Sequence, residues 1–199
     1  MKHILCYGDS NTWGSAAYDG RIADDKQWPN ILGAQLGAGY KVLQEGLCGR
    51  FAGEVETDER AFKNGQYLFE ALYRSATPVD VLIVALGTND LKRKYGRSAQ
   101  TILADIMWLV KTARSLDHTN EGSVVQVIIV APANFVSHED YYNGDEVVWR
   151  ELLELLQTSG EVVLAFDDLP MTEDGVHYSE AAHALVAEAI YNKVKELQV

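Results

Sequence analysis

Ser10, in the segment Gly8-Asp9-Ser10-Asn11, stands just past the first apolar run, His3-Ile4-Leu5-Cys6-Tyr7, and near the other terminus Asp174-Gly175-Val176-His177 carries a carboxylate and an imidazole three residues apart. A serine hydroxyl is a poor nucleophile until a neighbouring base takes its proton, and imidazole is the side chain suited to that near neutral pH. A carboxylate that accepts from the ring Nδ1–H holds the tautomer and stabilises the imidazolium formed as the serine attacks. Ser10, His177 and Asp174 are thus the parts of a Ser-His-Asp site, provided the fold brings the two ends of the chain together. Each also has a structural use. Ser10 could cap a short helix, Asp174-Gly175 is an ordinary turn dipeptide, and His177 could merely precede Ser179 as the N-cap of a final helix.

Apolar, β-rich runs at 3–7, 40–44, 80–86, 124–130 and 161–166 alternate with helical periods at 28–36, 66–75, 99–116, 146–158 and 180–197. That alternation predicts an α/β fold with a parallel sheet covered on both faces. Val81-Leu82-Ile83-Val84-Ala85-Leu86 and Val124-Val125-Gln126-Val127-Ile128-Ile129-Val130 lack polar alternation, as expected of central strands buried on both faces. Ligands of such sheets bind at the carboxyl ends of the strands. The segments expected there are Gly8-Asp9-Ser10-Asn11, Gly46-Leu47-Cys48-Gly49-Arg50, Gly87-Thr88-Asn89-Asp90 and Ala131-Pro132-Ala133-Asn134-Phe135, with Asp174-Gly175-Val176-His177 beyond the fifth strand. The loops 15–27 and 51–64 are long enough to suggest function.

Composition narrows the chemistry. A chain of 199 residues suits a single domain, 1–199, and a net charge of −12 would repel nucleic acid and anionic membranes, favouring a neutral or cationic small substrate. The apolar run at the N-terminus is too short for a signal core or a membrane span, so the expected location is cytoplasmic. Cys6 and Cys48 lack metal-site spacing and are read as free thiols of a reducing compartment. His3, His118, His138 and His183 are read as solvated or structural, Asp90 as structural, and Asp9 as holding its loop. Asp9, Asp90, Asp174 and His177 could in principle surround a cation, but no metal-ligand spacing is present, and no phosphate-binding glycine motif follows the first strand.

Gly8-Asp9-Ser10, Gly49, Gly87-Thr88-Asn89-Asp90 and Asp174-Gly175-Val176-His177, in this order, resemble the four blocks of the SGNH, or GDSL-like, ester hydrolases over nearly the whole chain. The contexts Gly46-Leu47-Cys48-Gly49-Arg50 and Asn64-Gly65-Gln66-Tyr67-Leu68 are most similar to the bacterial arylesterase and acyltransferase branch. The resemblance implies a three-layer, flavodoxin-like fold whose five-stranded parallel sheet has the first strand central. It implies Ser10 as nucleophile, His177 as base and Asp174 as its partner, with oxyanion donors in the Ser10 and Gly49 N–H groups and the Asn89 amide. Loss of one such donor typically costs about 10²–10³ in rate. Trp13, Phe51, Phe135 and Val176 are candidate walls of the substrate pocket. Two residues depart from the branch: Phe51 is a ring where a small polar residue is expected, and Cys48 is a thiol beside a donor, whose alkylation would lower activity if it faces the pocket.

The implied function is cleavage of small, short-chain acetyl or aryl esters through an acyl-enzyme, with water or an added alcohol as acceptor and no cofactor. A carbohydrate O-acetyl esterase is the nearest alternative, its sugar held by a polar, acidic rim; a metal-dependent hydrolase and a non-catalytic binding module stand further off. The resemblance is also consistent with a homo-oligomer in contact through the long loops.

Overall fold

The structure, a computed structural model, describes residues 1–116 and 124–198; His118 lies outside them. Five strands, β1 (Lys2–Gly8), β2 (Tyr40–Gly46), β3 (Val81–Ala85), β4 (Gln126–Val130) and β5 (Val162–Leu164), form one parallel sheet in the order β2-β1-β3-β4-β5. The middle position belongs to β3, and β1 is interior but second from the edge, because two strands add beyond β3 and only β2 beyond β1. The helices are α1 (Ser10–Trp13), α2 (Trp28–Leu36), α3 (Phe69–Ala76), α4 (Ala99–Leu116), α5 (Glu146–Gln157) and α6 (Glu180–Glu196).

Successive strand residues point to opposite faces, and both faces are apolar. Leu5, Tyr7, Leu82, Val84, Val127 and Ile129 pack with Phe69 and Tyr73 of α3, Ile102, Ile106 and Leu109 of α4, and Leu152 and Leu156 of α5. Ile4, Cys6, Val81, Ile83, Ile128 and Val130 pack on the other side with Trp28 and Leu32 of α2 and Ala182, Val186 and Ile190 of α6. The three- and four-residue spacing of these helix positions is the stripe that a sheet-covering helix must present. Each fully buried Leu, Ile or Val contributes about 1.5–3 kcal/mol, so the two faces carry most of the stability. Helix α3 starts at Phe69 rather than 66, because Asn64 Oδ1 accepts from the Gln66 N–H (2.8 Å) and holds a turn there. Strand β5, at the sheet edge, keeps only the residues that pair with β4.

The register aligns Gly8 with Gly46 on one side and Ala85 on the other, so the segments that leave β1, β2 and β3 emerge on the same rim. Close approach at that rim needs glycine: a Cβ on Gly46 would lie 2.2 Å from the Trp13 nitrogen, and one on Gly8 2.8 Å from the Ala85 carbonyl oxygen.

Candidate active site

Helix α1 is a single turn that follows β1 immediately. Asp9 is its N-cap, its Oδ1 accepting from the Asn11 N–H (2.9 Å), and Gly14 ends it in the left-handed region, leaving Ser10 as the first helical residue. At the opposite end of the chain, Asp174 Oδ1 accepts from the Thr172 hydroxyl (2.8 Å) and from the Val176 and His177 N–H groups (3.0 Å each), while Oδ2 faces His177 Nδ1 at 2.7 Å. Burial works to raise the Asp174 carboxyl, but these four hydrogen bonds outweigh it and hold the group down at about 2. His177 Nε2 lies 3.0 Å from Ser10 Oγ.

Asn11 joins the two segments. Its Nδ2 donates to the Val176 carbonyl (3.2 Å) and its Oδ1 accepts from the Tyr178 N–H (2.9 Å), so both residues flanking His177 are tied to the turn that carries Ser10. Just beyond, Ser179 caps α6, accepting from the Ala182 N–H (3.3 Å). His183, one turn into α6, is fully buried and accepts from the Trp28 N–H at Nδ1 (3.1 Å). Burial, with His177 nearby, lowers it to about 4, so it is neutral at pH 7.

Between β2 and α3 the chain turns back at Leu47, whose N–H donates to the Gly8 carbonyl (3.1 Å), and the Arg50 guanidinium binds the Gly8 carbonyl (2.9 Å) while lying 4.2 Å over the Tyr7 ring. This fastening leaves Gly49 at φ +78°, where a side chain would be strained. After β3, the Asn89 amide donates to the Arg50 carbonyl (3.2 Å), and its Oδ1 accepts from the Lys92 ammonium (3.0 Å). One Asn89 amide hydrogen remains for a ligand. Among the described residues the Ser10 and Gly49 N–H groups have no acceptor. Asp90 faces away, accepting from the Ala52 N–H (3.0 Å) and pairing with Arg97 (2.5 Å).

Ser10, Gly49, Asn89 and His177 share an open cavity of about 320 Å³ whose walls include Trp13, Cys48, Tyr141, Tyr142 and Val176. Lys63 and Lys92 also line it, and no carboxylate does among the described residues. No group of three His, Cys, Asp or Glu among the described residues could hold a metal ion.

Residues 6–185 match the GDSL-like lipase/acylhydrolase family. The chain belongs to that family. The aryl esterase of M. smegmatis superposes with a TM-score of 0.85 at 28% identity over 99% of this chain and 100% of that one. A carbohydrate acetylesterase from Sinorhizobium meliloti gives 0.83 at 28% identity over 99% and 100%. The lipase/acylhydrolase from Enterococcus faecalis, at 17% identity and a TM-score of 0.73, shares the fold. A search of the curated proteins found no match. No helix among the described residues is long and apolar enough to cross a membrane.

Within this GDSL-like chain, the residues expected at the site fall into two groups. Ser10, Asp174 and His177 meet, Gly49 and Asn89 border the same cavity, and Trp13 and Val176 wall it. Phe51 and Phe135 do not line it. Phe51 turns inward and packs edge-on against Tyr95 (5.0 Å), because the backbone at Phe51 is held in a bridge to Asn64. Phe135 sits behind the wall, packed on Tyr142 (5.3 Å) and Trp149 (5.8 Å), and supports Tyr142 rather than touching the cavity. The expected acidic rim is also corrected: net charge is a property of the whole surface, and the cations gather here. Tyr141, Tyr142, Lys63 and Lys92 are not legible in the sequence, since each comes from a loop with no motif of its own. Asn11 has no role in the sequence reading; a side chain able to donate and accept next to the nucleophile is the available signal. Asp9 is buried beside Ser10, and burial pushes its carboxyl up against the pull of the Asn11 N–H and His177. A carboxyl held toward its neutral form opposes a nearby anion less.

Proposed function

We propose that this chain is a serine ester hydrolase that cleaves small esters through an acyl-enzyme on Ser10. The observation that carries the reading is the continuous contact from Ser10 Oγ to His177 Nε2 (3.0 Å) and from His177 Nδ1 to Asp174 (2.7 Å). Ser10 Oγ attacks the ester carbonyl as its proton passes to His177 Nε2, and Asp174, an anion at any pH above about 4, stabilises the imidazolium. The oxyanion accepts from the Ser10 and Gly49 N–H groups and the Asn89 amide, donors in place before reaction. As the tetrahedral intermediate collapses, the bond to the alcohol oxygen breaks and His177 returns its proton to that oxygen. Water then attacks the acyl carbon with His177 again as base, releasing the acid and Ser10. An alcohol entering in place of water would give acyl transfer.

The cavity, about 320 Å³ and open to solvent, suits a short acyl group and a small alcohol. Likeness to the Sinorhizobium meliloti carbohydrate acetylesterase, at the same 28% identity as the aryl esterase, supports acetylated sugars as the second substrate class. Acid release from phenyl acetate, phenyl octanoate and a peracetylated monosaccharide, followed by pH-stat with wild type and Ser10→Ala, tests both. Turnover of the acetates that disappears in Ser10→Ala is expected; turnover that survives the substitution, or none on folded protein, would overturn the reading.

A further inference from the structure

Two lysines lie beside the atoms that would receive the oxyanion. The Lys63 ammonium occupies the space where a side chain on Gly49 would stand, such that a Cβ there would be 2.5 Å from Nζ. The Lys92 ammonium donates to Asn89 Oδ1 (3.0 Å) and lies 5.6 Å from the Tyr142 ring centroid. Both side chains are partly buried and line the cavity that contains Ser10. Among the described residues neither is ion-paired. The carboxylate that acts on Lys63, that of Asp58, is engaged by Arg60, and Lys94 adds a further cation. Burial, with Lys94 and Lys63, lowers the Lys92 ammonium to about 8 against the opposing pull of the buried Asp9 carboxyl. In a chain of net charge −12, two ammonium groups lining the reaction cavity with no carboxylate in its walls among the described residues are a local reversal of sign that general surface chemistry does not require.

We propose that Lys63 and Lys92 bind an anionic group on the substrate, so that the preferred esters are small ones carrying a carboxylate on the acyl or the alcohol part. This rests on the ester-hydrolase reading above. The ester carbonyl would take the donors at Ser10, Gly49 and Asn89 while the substrate carboxylate accepts from Lys63 and Lys92, the two contacts together fixing the substrate's orientation. The ammonium of Lys92 keeps its bond to Asn89 and has two further donors for the anion.

The test compares matched esters: 4-acetoxybenzoate with 4-acetoxybenzamide for the alcohol side, and monophenyl glutarate with phenyl valerate for the acyl side, each corrected for uncatalysed hydrolysis. In wild type, kcat/KM for the anionic member of at least one pair should exceed that of its neutral partner about tenfold or more, as a charge-assisted hydrogen bond implies. Lys63→Gln and Lys92→Gln should each bring that ratio toward one, and Lys63→Arg should retain it. A wild-type ratio at or below one in both pairs, with the neutral esters still cleaved, overturns this inference and leaves the esterase reading standing. A ratio unchanged in both Gln variants also overturns it. If no ester is cleaved, the esterase reading fails, and calorimetric titration with 4-hydroxybenzoate still decides the site. Binding that is weakened at least about tenfold by Lys63→Gln supports it, and no binding, or binding indifferent to both Gln variants, refutes it.

Discussion

Replacing Asp174 by Asn keeps the size and shape of the side chain and changes what it can accept. Three donors, the Thr172 hydroxyl and the Val176 and His177 N–H groups, converge on Oδ1. The asparagine carbonyl must therefore take that position, which turns its NH₂ toward His177 Nδ1. Nδ1 then accepts instead of donating, the ring proton moves to Nε2, and Nε2 faces Ser10 as a donor that cannot take the hydroxyl proton. A triad carboxylate lost in this way costs about 10⁴ in kcat, or about 5 kcal/mol of barrier. The same substitution removes a pH-dependent share of stability. Asp174 is held at about 2 against its ordinary 3.8, a depression worth about 2 kcal/mol. Because the folded value is the lower one, that stabilisation is complete above about pH 4 and is lost as the pH falls from 4 to 2. Asp174→Asn should thus melt roughly 4–8 °C lower than wild type at pH 7, with the gap narrowing below pH 4. Steady-state hydrolysis of phenyl acetate and thermal melts followed by circular dichroism from pH 2 to 7 read both effects. Activity within about tenfold of wild type on folded Asp174→Asn protein would refute the argument from the tautomer.

Asn11→Ala removes both ties to the His177 turn and leaves the Val176 carbonyl and Tyr178 N–H without their partners, so a loss of about 2 kcal/mol in urea unfolding is expected, together with at least about a tenfold lower kcat. Asn89→Ala should lower kcat for phenyl acetate by about 10²–10³ with a far smaller change in KM, because the donor acts on the oxyanion; an effect confined to KM would assign Asn89 to ground-state binding. Iodoacetamide should label Cys48, which is exposed at the cavity, and slow hydrolysis, whereas Cys6 is buried in β1, where burial pushes its thiol up, and should stay unlabelled until the protein unfolds. Peptide mass spectrometry checks the sites, and full Cys48 labelling with activity intact would remove the thiol from the account.

The elements that position the site were legible because a strand buried on both faces has to be apolar throughout, as in Val81–Ala85, and because the first turn after β1 carries Gly8, Asp9 and Ser10 together. Asp174 and His177 were legible for a similar reason: their contact is local, made within one turn. The cavity walls were not. Whether Phe51 faces the cavity depends on a bridge to Asn64, and whether Tyr142 does depends on the ring of Phe135 behind it, contacts between loops that leave no period in the sequence. Charge misled in the same way, since the sum over the chain is acidic while Lys63 and Lys92, far apart in sequence, meet at one cavity. The cap of α1 illustrates the scale of detail lost: Asp9 accepts from the Asn11 N–H, which frees Ser10 for the contact with His177.

Activation of Ser10 by His177 can be read with a fluorophosphonate probe on the folded protein, the adduct being located by peptide mass spectrometry with Ser10→Ala alongside. One adduct per chain is expected, on Ser10, formed at a rate that falls steeply in His177→Ala and absent in Ser10→Ala. No adduct on folded wild type, or labelling at another residue that persists in Ser10→Ala, would contradict it.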